Sequence, residues 1–357
     1  MNEAAARNSR KGSMTHLYQR DWNRQDLARY TGTMNQIAGI QLLEASDGIE
    51  RGGRLMQVWT GSGLTFNVLP DRAMDIAACQ YRGMSLAWRS ATGDAHPAYY
   101  EACGAGWLRT FQGGMLVTCG LDTFGPPVVD GAEEFGQHGR VSNLPAREVG
   151  YHAGWVDGSY QLEVSGEVRQ TKVFGENIVL RRRISTWLGS NKIHLEDTVT
   201  NEGFSPQAHM IMYHINTGFP LLDETAHLKF EVLETLPEDE VSAKGLADWR
   251  IFQPPTAGFQ EQNFVHTPVA APDGWAHAEV ENPGLGLGLR LSFDTRTLPY
   301  LNEWKMMGEG LYVLAIEPMN CNPLPGRAAM QDQKKLPYLR PGEVRSYTLE
   351  LEVIEYS

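Results

Sequence analysis

A two-residue alternation of apolar and polar side chains recurs along most of this chain and leaves it few folds to choose from. It runs through residues 54–60, 64–69, 160–169, 178–186, 192–201, 277–281, 285–293 and 347–354. Successive side chains of a strand point to opposite faces, so each such segment buries one face and wets the other, as antiparallel sheets do. Helical periodicity is confined to residues 21–30 and 246–252. Strands that follow strands with no helix between them argue against a βαβ fold and predict an all-β antiparallel sandwich or barrel with few short helices.

Glycine (37) and proline (19) punctuate the chain throughout, as many short strands and turns require. The loop-rich segments 91–105, 121–139, 236–260 and 320–339 are neither long nor biased enough to be interdomain linkers. No internal repeat shows itself. The expectation is a single domain over residues 32–357, preceded by a polar arm, residues 1–31, that carries one short helix.

Charge narrows the partners. With 31 Lys+Arg against 43 Asp+Glu the formal net charge is −12, a field that repels nucleic-acid phosphates and anionic lipid. The four cysteines, Cys79, Cys103, Cys119 and Cys321, form no CxxC pair, and the polar, basic start of the chain has no apolar run of signal-peptide length. Nor does any stretch reach the length of a membrane span. The expected setting is the cytoplasm, with reduced thiols and no membrane or nucleic-acid partner. Self-association into a homo-oligomer stays open.

Three segments offer reactive side chains. The glycine-rich run from Gly113 ends in Phe135-Gly-Gln-His138-Gly-Arg140, and if it is extended, His138 and Arg140 point the same way. The same run also reads as a turn with a surface histidine. His209-Met-Ile-Met-Tyr-His214-Ile-Asn216 is strand-like, and its odd spacing sends His209 and His214 to opposite faces. That leaves His214 with Met210 and Met212, the place of an ordinary core histidine as much as of a ligand. In Leu311-Tyr-Val-Leu-Ala-Ile-Glu317-Pro an apolar strand ends in a carboxylate beside the small Val313 and Ala315. Such a charge is costly unless partnered, and burial tunes it toward a general base near neutrality; a strand-end ion pair is the competing reading. Arg72, after a strand, and Trp304, between Glu303 and Lys305, suit sugar hydroxyls and sugar C–H faces, and suit ordinary surfaces equally well. No P-loop, HExxH, GxSxG or HxH occurs, and Gly284-Leu-Gly-Leu-Gly-Leu lacks the third glycine and the helix of a dinucleotide loop.

His138-Gly139, His214-Ile-Asn216 and Ile316-Glu317-Pro318, in this order, resemble the galactose mutarotase-like superfamily. Residues 114–127, 136–145, 213–224 and 301–322 look more closely like a bacterial aldose 1-epimerase-related family of mostly unassigned substrate. The resemblance implies a large β-supersandwich with a sugar site on its concave face and a cofactor-independent, metal-free isomerase acting on a free sugar or sugar acid. It implies His214 as general acid at the ring oxygen and Glu317 as general base at the anomeric hydroxyl. His138 would position the sugar, with Arg72, Arg140, Asn216, Trp304 and Asn322 as further sugar contacts. A binding protein without turnover, a metal-assisted isomerase that also uses His209, and a sugar-phosphate epimerase served by residues 181–183 or 334–335 are the competing readings.

Overall fold

The structure is a computed structural model that describes residues 14–356; the first thirteen residues of the expected arm lie outside the described residues. Eight antiparallel strands form the largest sheet, in the order Arg147–Val156, Ser159–Thr171, Asn177–Trp187, Lys192–Asn201, Val344–Glu355, Leu287–Asp294, Trp275–Asn282 and His227–Phe230. A six-stranded sheet runs Val232–Pro237, Gln262–Pro268, Tyr300–Gly308, Leu311–Met319, Met210–Gly218 and Val117–Leu121. A five-stranded sheet begins at Gly39–Glu44 and reaches Asp75–Tyr81 and Met84–Ser85. It continues the six-stranded one through the bridges Ile76 to Leu116, Ala87 to Thr217 and Arg89 to Gly113.

Two layers result, and alternation decides what lies between them. Ile76, Leu116 and Ile215 from one layer meet Ile193, Leu195, Leu349 and Leu351 from the other. Stripping that apolar surface of water is the dominant stabilising term of such a sandwich. The predicted all-β antiparallel class therefore describes the molecule. The alternating segments become strands with ends moved by three residues or fewer, and 64–69 and 192–201 coincide with Leu64–Leu69 and Lys192–Asn201.

Helices are few and short. The first expected one is the single turn Arg24–Ala28, capped by the Asn23 side chain. Leu17, Trp22 and Leu27, from the N-terminal segment, join the main core. The second expected helix is corrected: residues 246–248 form a 3₁₀ turn, and the α-helix lies just before it at Glu240–Lys244, where Asp239 caps Ser242. A third helix, Arg327–Asp332, falls within the segment 320–339 whose sequence reads as loop. No helix among the described residues is long and apolar enough to cross a membrane.

A buried ionic cluster ties the layers together beneath the site. Arg182 donates to both oxygens of Asp197, at 2.9 and 2.7 Å, and to Asp75 at 2.8 Å. Asp75 also accepts from the Thr118 hydroxyl and amide, and the Tyr213 hydroxyl donates to Asp197 at 2.8 Å. Each charge is paired and hydrogen-bonded, the condition under which burial is tolerated.

Candidate active site

The face of the six-stranded sheet that points away from the inter-sheet core is where the reactive residues gather. Ile215 and Ile316 pair across neighbouring strands and fill the core. One residue further along the same register, His214 and Glu317 turn outward on the opposite face. Glu317 in turn faces Asn302 on the next strand, and Asn302 faces Val265 on the one after. Strand parity and register thus carry four strands' side chains to one place.

A cavity of about 240 Å³ opens there, lined by His138, His214, Glu317, Asn302, Asn263 and Trp304 among others. Trp107 and Phe111, stacked at 4.3 Å between centroids, form one wall, and the Phe111 ring is 5.2 Å from the His214 imidazole. Trp304 approaches the imidazole edge-on at 5.6 Å. A concave, aromatic-lined pocket with a few convergent polar groups is the usual form of a small-ligand site.

His138 arrives on a loop that only glycine permits. A Cβ at Gly139, whose φ is +71°, would sit 2.3 Å from the Gly120 carbonyl oxygen. The two glycine backbones therefore press together and set His138 against the strand edge, with its ring 5.9 Å from that of His214. His138 itself has φ +56°, and Arg140 leads into the 3₁₀ turn Val141–Asn143. The segment is a tight turn and is not extended, which corrects the expectation that His138 and Arg140 share a side.

The central pair is close and almost dry. His214 Nε2 lies 3.1 Å from Glu317 Oε1, with the two residues 4% and 2% exposed. The contact is not aligned as a hydrogen bond, and Glu317 Oε1 and His214 Nδ1 are buried without a partner. Glu317 Oε1, at the cavity wall, is a group that a ligand can satisfy. Glu317 Oε2 accepts from Asn302 Nδ2 at 2.9 Å.

Burial dominates the electrostatics. It pushes Glu317 up to about 8, opposed by the Asn302 hydrogen bond and reinforced by repulsion from Glu238 and Glu261. It drives His214 well below the ordinary histidine range, aided by His138, while a contact with Asn216 opposes the fall. His138 is lowered to about 4 by burial alone. At neutral pH the His214–Glu317 pair therefore holds one proton. A buried acid and base at contact distance, with burial reversing their usual order of proton affinity, can deliver a proton at one atom and collect one at another.

The other expected contacts divide. Trp304 lines the cavity and donates from Nε1 to Glu261 at 2.7 Å. Arg72 does not reach it: the side chain is buried elsewhere, donating to the carbonyls of Ser142 and Ala95 at 3.2 and 3.1 Å. Its part in the site is indirect, since the Ser142 hydroxyl accepts from Trp107 Nε1 at 3.0 Å. Arg140 and Asn322 are also absent from the lining, and the Asn322 side-chain Oδ1 accepts from the Leu324 amide at 3.0 Å. Asn216 sits behind His214, donating to the Gly114 and His214 carbonyls. His209 faces the inter-sheet side, bonded to the Leu121 carbonyl and the Tyr347 hydroxyl, and cannot share a ligand set with His214. No group of His, Cys, Asp and Glu suited to hold a metal occurs among the described residues. Sequence reasoning missed Asn302, Asn263, Trp107, Glu238 and Glu261; the glycine-rich run from Gly113 to Arg140 reached only the part of the wall around His138.

Comparison with known proteins agrees with this architecture. The family profile described as "Domain of unknown function (DUF4432)" matches residues 50–353. Among solved structures, a protein from Klebsiella pneumoniae subsp. pneumoniae MGH 78578, provisionally named an aldose 1-epimerase, is 27% identical with a TM-score of 0.84, over 91% of this chain and 87% of that one. A galactose mutarotase-like protein from Clostridium acetobutylicum is 13% identical with a TM-score of 0.64, over 90% of this chain and all (100%) of that one. The galactose 1-epimerase of Lactobacillus acidophilus NCFM is 12% identical with a TM-score of 0.58, again over 90% and 100%. The last two share the fold. No curated protein matches this chain. The fold is galactose mutarotase-like, and the predicted β-supersandwich describes it.

Proposed function

Starting from a chain that belongs to the DUF4432 family, we propose that it is a cofactor-independent sugar isomerase of the aldose 1-epimerase type, acting on a free sugar by acid–base ring opening. The observation that carries this reading is the buried 3.1 Å contact between His214 and Glu317 at the wall of a sugar-sized cavity. The name of the Klebsiella protein, similar over most of both chains, points the same way.

Mutarotation needs two protons moved in one site. Glu317 removes the proton from the anomeric hydroxyl, His214 delivers one to the ring oxygen, and the bond between C1 and the ring oxygen breaks as O1 becomes a carbonyl. Rotation about the C1–C2 bond exposes the other carbonyl face. Closure then reverses both transfers and leaves the pair as it began, so nothing is consumed. In the empty site burial keeps the shared proton on Glu317. A bound sugar's hydroxyls, together with Asn302, stabilise the carboxylate and bring Glu317 and His214 into line, so that the proton passes to His214. Asn302 holds the carboxylate, His138 orients the ring, and Trp304 offers an aromatic face to the sugar's C–H groups.

A crystal structure with bound sugar tests the geometry. The reading expects His214 Nε2 and a Glu317 oxygen each within about 3.2 Å of the ring oxygen and O1 respectively. A sugar bound with its anomeric carbon turned away from both would overturn it.

A further inference from the structure

Among the described residues no arginine or lysine lines the cavity, whereas three carboxylates do, Glu238, Glu261 and Glu317. Glu317 sits on the floor. Glu238 and Glu261 sit at the mouth, exposed to solvent, on adjoining strand ends joined by the Glu238 amide donating to the Asn263 carbonyl at 3.0 Å. Glu261 is fixed by Trp304 Nε1 at 2.7 Å, which ties the acidic rim to the aromatic wall. Both carboxylates repel charge on Glu317, so their field reaches the reacting end of the pocket.

The basic residues that could have served a phosphate are occupied elsewhere. Arg181 pairs with Glu167 and Glu202, and Arg183 lies near Glu163 and Glu196, on the eight-stranded sheet or, for Glu202, just past the end of its strand Lys192–Asn201. Arg182 is sealed in the core. Lys334 and Lys335 are absent from the lining. A sugar phosphate or sugar acid entering here would trade hydration for a site with like charge and no cation, whereas neutral hydroxyl groups find acceptors in the same carboxylates.

We infer that Glu238 and Glu261 are specificity-determining residues that accept hydroxyl hydrogen bonds from an uncharged sugar and reject its phosphorylated and carboxylated counterparts. This rests on the isomerase reading for the reaction but not for the binding preference, and it narrows the substrate from a free sugar or sugar acid to a neutral one.

The test uses the full chain and matched probes: neutral hexoses and pentoses, the uronates of the hexoses and their 6-phosphates. Binding is followed by calorimetry at low and high salt, and anomer exchange by NMR. The neutral member binds at least about tenfold more tightly than either anionic counterpart, and salt narrows the gap. The double variant Glu238→Gln/Glu261→Gln, which keeps an acceptor at both positions, improves the anionic sugar relative to the neutral one by about tenfold. Circular dichroism of that variant confirms that it folds. Equal affinity for anionic and neutral members, or a ratio that the double variant leaves unmoved, overturns the inference. A neutral preference without exchange sustains the filter and sinks the isomerase reading. Equal turnover of an anionic sugar does the reverse, and binding of neither class overturns both.

Discussion

His214 Nε2 and Glu317 Oε1 stand 3.1 Å apart on adjacent antiparallel strands, in the register that pairs Ile215 with Ile316 on the core side. The same hydrogen-bonded ladder that builds the sandwich therefore sets the spacing of the reactive pair, and no loop has to be ordered to bring the two together. Sites built on strands hold their geometry more tightly than sites built on loops.

The pair titrates as a unit, which sets the pH profile. Activity requires one proton shared by His214 and Glu317. Raising the pH through about 8 removes it from Glu317 and leaves no acid; lowering the pH far below the ordinary histidine value adds a second and leaves no base. The kcat/KM profile should be a broad bell with an alkaline limb near 8. A plateau extending through about pH 9.5 would contradict the assignment.

Asn302 is a positioning residue whose effect has a signature. Its Nδ2 donates to Glu317 Oε2 at 2.9 Å and pulls that carboxyl down against the burial that raises it. Asn302→Ala should lower kcat/KM about tenfold and move the alkaline limb up by roughly half to one pH unit. A drop in rate with an unmoved limb would mean that Asn302 supports the fold and not the titration.

Glu317 should also cost the protein stability. Its folded-state affinity for protons exceeds the unfolded one, so between the unfolded value of 4.5 and about 8 the native state binds more protons and stability falls as pH rises. Glu317→Gln removes that titration. The variant should be more stable than the parent at pH 8.5, by on the order of 2 kcal/mol, with the gap closing toward pH 5. Denaturant melts at the two pH values check this, and a variant less stable than the parent at pH 8.5 contradicts it.

The fold was legible in the sequence because alternation is local: each strand shows its buried face within a few residues. The opposition of His209 and His214 followed from the same parity, and the structure places them on opposite faces. The contribution of Asn302 was not legible, because it depends on which residue of another strand lies across from Glu317. Arg72 was misplaced for a related reason. It lies in the turn that follows the strand Leu64–Leu69, where Ala73 and Met74 both take positive φ, and that turn carries the guanidinium to carbonyls beneath Trp107. Helix Arg327–Asp332 was hidden because six residues give too little periodicity to separate a single turn from a loop.

The ionic cluster under the site should be expensive to break. Arg182→Met leaves Asp75 and Asp197 buried without their cation, a change that costs about 3–5 kcal/mol in comparable cores. Equilibrium denaturation measures it. A loss below about 1 kcal/mol would show that the carboxylates find other partners or water.

Anomer exchange followed by NMR across a panel of sugars tests the central claim most directly. The wild-type chain should accelerate exchange of at least one uncharged aldose, and Glu317→Gln and His214→Ala should each slow it by about 10²–10⁴-fold while remaining folded. If no sugar exchanges faster with the wild type than with Glu317→Gln, the pair is not catalytic and the account is wrong.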